Sequence, residues 1–150
     1  MSHPGAGKKK PLKKGGVAPP VNFKEEKEQI EDYYSPKVKK RILELGKFSF
    51  SGGRSGKTKV EELEMKLLNE TARYKGEWSI DSKQRHGKGI QVWADGSVYQ
   101  GYWKEGKAHG KGRLIHADGD VYEGEWEDDE ANGTGTYYHT DGSKFVGNWK

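Results

Sequence analysis

Residues 99–121 read YQGYWKEGKAHGKGRLIHADGDV, and residues 122–144 start the same phrase over as YEGEWEDDEANGTGTYYHTDGSK. Laid over each other, the two stretches agree at an aromatic, a glycine two residues on and a tryptophan four residues on: Tyr99, Gly101, Trp103 and then Tyr122, Gly124, Trp126. They agree again at a Gly-x-Gly, which is Gly110 and Gly112 in one and Gly133 and Gly135 in the other, and at an Asp-Gly ending in Gly119 or Gly142. An upstream copy opens with Tyr74, Gly76 and Trp78, continues through Gly87 and Gly89, and closes at Gly96; a fragment holds Phe145, Gly147 and Trp149. Self-similarity at a period of about 20–50 residues marks a repeat architecture, so these positions are the expected skeleton of an array over 74–150. Its units are 74–98, 99–121, 122–144 and a partial 145–150.

Inside a unit the spacing is that of strands. Tyr99, Gly101 and Trp103 alternate with Gln100 and Tyr102 and so share one face. Lys104 to Lys107 reads as a tight hairpin turn, with Gly106 where a positive φ is needed. The segment from His109 to Ile115 then returns antiparallel, and Asp118-Gly119 turns the chain into the next unit. The first unit has 25 residues against 23, and its extra two fall between Trp78 and His86, inside a turn where length is tolerated. Alternate glycines on the returning strand open a shallow trough across which a Tyr or Trp ring from a neighbouring strand can lie, offsetting the weakness of glycine in strands. The expected fold is mainly β: a single-layer antiparallel meander, each repeat touching only its neighbours, behind a basic, partly helical and partly disordered N-terminal extension.

The joint pattern YKGEW…RHGKG…DG, YQGYW…HGKG…DG and YEGEW…NGTG…DG resembles the MORN (membrane occupation and recognition nexus) repeat family over about residues 74–150. That resemblance implies an elongated single-layer β-meander and a non-catalytic module, of the kind found in junctional membrane proteins, ciliary radial spokes, protist cytoskeletal scaffolds, and beside lipid-kinase or methyltransferase domains. It departs from the family at Asn132, in place of the usual His, and at Phe145, in place of Tyr. A stop inside a unit predicts an exposed edge strand, covered by a partner or by a second copy in a homodimer, or else a truncated chain.

Composition narrows the alternatives. The chain has 150 residues, 31% of them hydrophobic, with 22 glycines and no cysteine, so a thick two-layer core, disulfides and cysteine nucleophiles are excluded. No apolar run nears the roughly 20 residues that span a bilayer, and a soluble, cytoplasmic protein is expected. Residues 1–73 hold 17 Lys/Arg against 10 Asp/Glu and residues 74–150 hold 10 against 13, which sum to the whole chain's 27 and 23. The extension is therefore basic and the array mildly acidic.

Residues 1–21 are read as a disordered basic arm, with Lys8, Lys9, Lys10, Lys13 and Lys14 available to an anionic membrane or another anionic surface; nothing in it reads bases, so sequence-specific nucleic-acid binding is not expected. Residues 22–73 are read as a helical linker. Asn22 and Glu25 open a short helix over 24–33; Ser35 caps a better one over 36–45, with Pro36 at its first position, Val38, Ile42 and Leu45 on one face and Gly46 as its stop. Phe48 and Phe50 alternate as in a short strand. A Gly/Ser hinge at 51–57 follows, and Thr58 with Glu61 caps a helix over 59–69 carrying Val60, Leu63, Leu67 and Leu68.

Ser51 to Thr58, SGGRSGKT, imitates a phosphate-cradling loop, but Ser51 replaces the first glycine and no parallel βαβ unit follows, so the hinge reading stands and no cofactor is expected. His86, His109, His116 and His139 recur at or near the repeat period, not at metal-ligand spacing. Glu127, Asp128, Asp129 and Glu130 form a solvated acidic tip. No nucleophile–base constellation assembles, so the chain is read as no enzyme. A single-layer sheet leaves a face incompletely covered, and Trp93, Tyr102, Ile115 and Tyr138 are the expected partner-binding residues there, unless an N-terminal helix occupies it. With the resemblance, these readings predict a protein-binding adaptor in a cytoskeletal or ciliary (axonemal) assembly. The alternatives are an anionic-phospholipid membrane tether, or the regulatory part of a larger enzyme such as a phosphatidylinositol phosphate kinase.

Overall fold

Each repeat supplies strands because its aromatics and glycines alternate with polar residues over short runs bounded by turn sequences. The computed structural model describes residues 28–50 and 57–149. The strands are β1 (Val60–Leu67), β2 (Arg73–Ser79), β3 (Arg85–Val92), β4 (Val98–Lys104), β5 (Lys107–Ile115), β6 (Val121–Glu127), β7 (Glu130–Tyr138) and β8 (Lys144–Trp149). All eight lie in one antiparallel sheet in chain order, and the sheet does not close. Between β4 and β5 the turn has Glu105 and Gly106 at φ of 48° and 84°, the mirror-image turn that suits twisted strands. Asp128 and Asp129 repeat that turn without glycine, at φ of 50° and 72°. The extra residues of the first repeat do fall in its hairpin loop, between Ser79 and Arg85.

Strand register aligns like with like. One row of paired residues runs Gly76, Gly89, Gly101, Gly112, Gly124, Gly135 and Gly147 across seven strands. A second row runs Val92, Val98, Ile115, Val121 and Tyr138. Because neighbours along a strand point to opposite faces, this aliphatic row faces away from Tyr99, Leu114 and Tyr122.

The aliphatic face is covered by the extension. Helix α1 (Pro36–Leu45) lies there, preceded by a 3-10 turn over Ile30–Tyr33. Ile30, Tyr34 and Val38 are buried with Val92, Val98, Ile115 and Val121, while Ile42, Leu45 and Met65 pack at the margin. Ser35 caps α1 by accepting from the Val38 N–H at 3.1 Å, and its own hydroxyl donates to the Ala117 carbonyl at 2.9 Å. The Ser35 N–H donates to the Gly96 carbonyl, so the Asp-Gly turns between repeats are the helix's landing points. A side chain at Gly96 would meet Ser35 at 2.6 Å, and its φ of +90° independently demands glycine. At the other end, buried Arg113 donates to the Gly46 carbonyl at 2.6 Å, a cation placed at a helix C-terminus.

The extension corrects three expectations. Residues 59–69 form no helix. Val60–Leu67 is strand β1, whose backbone pairs with that of β2. The strand carries a register shift between Leu63 and Lys66, and pairing with a sheet edge overrides the helical spacing and the capping signal. Phe48 and Phe50 lie in no strand; their rings meet edge-on at 5.0 Å, and Phe50 continues onto Tyr102 at 5.7 Å. Of the helix expected over 24–33, the structure shows the turn over Ile30–Tyr33, and its expected start at Asn22 lies outside the described residues. So do the basic arm with its five lysines and all of the 51–57 hinge up to residue 56.

Candidate functional site

The face opposite α1 is built from the repeat aromatics. Ring contacts, edge-on except for the tilted Tyr74–Trp78 pair, link Tyr74 to Trp78 and Trp103, Tyr99 to Trp103 and Trp126, and Tyr122 to Trp126 and Trp149, with ring centroids 4.9–5.9 Å apart. Each tyrosine thus joins its own repeat's indole to the next. Such pairs contribute about 0.5–1.5 kcal/mol each beyond their buried area. Each tyrosine also lies flat along the glycine row. A Cβ at Gly89, Gly112 or Gly135 would sit 2.1–2.2 Å from the hydroxyl of Tyr74, Tyr99 or Tyr122. Those hydroxyls donate to the carbonyls of Glu77, Tyr102 and Glu125. The trough is therefore real at these three glycines. Gly110 differs: no ring covers it, and its φ of +91° is what excludes other residues.

Above this layer lies a groove of about 670 Å³. Tyr99, Trp103, Leu114 and Trp126 make its apolar floor, and Trp93, Asp95 and Thr71 stand on one rim. Arg85, Gln91 and Asp129 supply its polar wall. The Arg85 guanidinium lies 4.5 Å from the Trp103 ring centroid, donates to Gln91 Oε1, and donates to the Gly106 carbonyl at 2.6 Å. Burial lowers its pKa, and nearby Asp129 opposes that shift. Asp129 itself is held by the backbone, accepting from the Ala108 N–H at 2.7 Å. Trp126 and Trp149 donate their indole N–H to the Gly112 and Gly135 carbonyls. Trp103, only 4% exposed, has no such partner.

Of the four residues expected to meet a partner, only Trp93 lies at this groove, 37% exposed on its rim. Ile115 is fully buried beneath α1, so it offers a partner no surface. Tyr138 packs against the same cluster, and Tyr102 packs on Phe50. The helix over 36–45 occupies that face. Asp129 was read as part of a solvated acidic tip, and its carboxylate instead accepts from the Ala108 N–H at the groove. Arg85, Gln91 and Leu114 were not singled out from the sequence, although one signal was present. The position of Arg85, two residues before the Gly-x-Gly, is Ala108 and Ala131 in the other repeats.

The histidines are dispersed. His86 is buried with its Nδ1 accepting from the Glu105 N–H, and His139 Nδ1 lies 3.4 Å from Asp120. Among the described residues no three His, Cys, Asp or Glu side chains gather to hold a metal, and no helix is long and apolar enough to cross a membrane.

A hairpin array whose glycine row is floored over by tyrosines, each unit touching only its neighbours, defines a repeat protein. Comparison with known families matches residues 74–98, 99–121 and 122–144 to the MORN repeat, and the chain is a MORN-repeat protein. MORN repeats are typically non-catalytic binding modules, and no catalytic domain is recognised beside them. No curated protein matches the chain.

Proposed function

We propose that the chain is a non-catalytic adaptor whose aromatic groove grips a segment of a protein partner. The observation that carries this reading is the asymmetry of the two faces. The aliphatic face is closed by α1, whereas on the other face Leu114 and Trp126, partly exposed beside the buried Tyr99 and Trp103, line a groove that stays open among the described residues. Open apolar grooves with a few placed polar groups are the usual form of a binding site. A place in a cytoskeletal or ciliary assembly follows from the resemblance alone. The test is photo-crosslinking in the native cell, with the crosslinker at Trp93 on the groove rim or at Thr134 on the far side of β7. Partner adducts from Trp93 alone support the reading; equal adducts from both positions overturn it.

A second reading, an anionic-phospholipid tether, draws on a separate observation. Leu43 is 86% exposed on the outer side of α1, with Lys39 and Lys40 one turn before it and Lys47 just past the helix end. Basic helices with an outward apolar residue bind anionic interfaces, and each lysine near the surface contributes about 1 kcal/mol. Co-sedimentation with phosphoinositide vesicles across a salt series, for the whole chain and for Leu43→Ser, tests it. Pelleting that salt and Leu43→Ser both weaken supports the tether, and pelleting indifferent to both removes it.

A further inference from the structure

Resting on the groove reading above, we propose that the groove selects a partner segment by a carboxylate, an Asp or Glu side chain or a chain terminus, seated against Arg85 with its apolar neighbours on Leu114 and Trp126. The array contains two interior arginines, and their surroundings differ. Arg113, beneath α1, has Glu123 at 4.0 Å and gives its other N–H groups to Gln100 and the Gly46 carbonyl. Arg85 is half-buried, has only neutral acceptors in Gln91 and Gly106, and no carboxylate of the described residues comes within ion-pair distance. Asp129, the nearest offsetting charge, stands beyond ion-pair distance and is held by the Ala108 N–H, so the desolvation of Arg85 is met only in part, which is the condition an incoming anion relieves. Burial lowers the Arg85 pKa, consistent with that desolvation.

The other repeats show that a hairpin does not need an arginine at this position. Alanine stands at the matching positions, Ala108 and Ala131, and there the hairpins close without a charge. Gln91, which positions the guanidinium, likewise departs from the matching Leu114 and Tyr137. The indole under the guanidinium is also the one that lacks the glycine-carbonyl bond made by Trp126 and Trp149. A polar pair has been inserted at one repeat of an otherwise aromatic floor, and the regular packing gives way there.

The acidity of the surroundings decides between anions. Asp95 and Asp129 line the same groove, and residues 74–150 carry 10 Lys/Arg against 13 Asp/Glu. A singly charged carboxylate balances one arginine, and its planar fork matches guanidinium geometry. A phosphate, with a charge of about −1.5 to −2 at neutral pH, would meet repulsion from both aspartates. A phospholipid surface would need a basic face, which the array lacks.

The test uses the isotope-labelled whole chain and three small probes: 3-phenylpropionate, its neutral amide, and 2-phenylethyl phosphate. Resonances of the Arg85 Nε–H and the Trp103 and Trp126 indoles report binding. The expected result is saturable binding of the carboxylate at millimolar concentration, about tenfold tighter than the amide. Arg85→Ala should level the two, and Arg85→Lys should keep most of the preference if alanine disturbs the fold. Equal affinity for carboxylate and amide, with the indoles still shifting, overturns the carboxylate while leaving the groove. Tighter binding of the phosphate overturns the assigned class. If no probe moves a groove indole at about 20 mM, well beyond weak fragment affinity, the groove and its carboxylate fall together.

Discussion

Gly112 and Gly147 occupy the same row of the sheet, yet a single methyl should affect them in opposite ways. At Gly112 it would sit 2.2 Å from the Tyr99 hydroxyl, so the ring and its bond to the Tyr102 carbonyl must move; at Gly147 nothing lies within 4 Å. Gly112→Ala should cost about 1–3 kcal/mol or more, as overpacking does, and Gly147→Ala should stay within about 0.5 kcal/mol. Urea unfolding of the two variants compares them directly, and equal losses would remove the ring-over-glycine account. Trp103→Ala, which deletes the indole shared by Tyr74 and Tyr99, should cost about 3–5 kcal/mol. A near-native urea midpoint would show that the aromatic chain is not a core. At this scale the sequence was legible wherever copies agree, because agreement among Tyr, Gly and Trp reflects packing that every repeat must solve. It was opaque at Arg85, since a reading built on matching positions passes over the one that departs. Ile115 was misplaced for another reason. It was expected on a partner's face unless an N-terminal helix occupied that face, and α1 does, because strand pattern alone does not say which element will cover a face.

Helix α1 illustrates the same limit for elements. Its cap, its proline, its apolar stripe and its glycine stop were all readable locally, and each is found where expected. Its landing place was not, because that depends on the Gly96 and Gly119 turns coming together through the pairing of β4 with β5. Arg41 donates to the Gly119 carbonyl at 2.8 Å and Ser35 to the Ala117 carbonyl, so the helix reads the sheet through turn carbonyls as well as through Val38. Ser35→Ala should cost about 0.5–2 kcal/mol, the usual loss for a helix N-cap. Val38→Asp should do more, because it places an unpaired carboxylate at a fully buried position. Hydrogen exchange in that variant should become fast over residues 36–45 while amides of the glycine row in β4 and β5 stay protected. Simultaneous loss of both would mean that the meander cannot stand without its helix. Strand β1 fails locally for a related reason: its charged, three-spaced sequence suits a helix, and only the open edge of β2 makes it a strand.

For the molecule as a whole, a meander whose strands pair only with chain neighbours makes stability a property of the continuous aromatic chain, and alkaline pH tests that chain. Tyr74 and Tyr99 are 0% and 1% exposed, and Tyr34 beneath α1 is 7% exposed. Burial raises all three pKa values above the ordinary phenol value near 10, and for Tyr99 the bond to Tyr102 opposes that only in part. Below about pH 10 both native and unfolded chains keep these protons, so their contribution is fully present. Above it the unfolded chain ionises while the native one does not, and stability falls by about 1.4 kcal/mol per pH unit for each sealed tyrosine. The three together remove about 4 kcal/mol per unit, enough to exhaust a typical domain stability of about 5–15 kcal/mol within a few units. The tyrosinate absorbance near 295 nm should therefore rise in two phases. The first belongs to the partly buried rings and leaves the sheet intact; the second, steep and roughly between pH 11 and 13, should coincide with loss of the β circular-dichroism signal. One gradual phase with the sheet preserved would mean that the rings over the glycine row are open to solvent. A steep phase that Trp103→Ala moves to lower pH would tie the sealing of Tyr74 and Tyr99 to the indole between them.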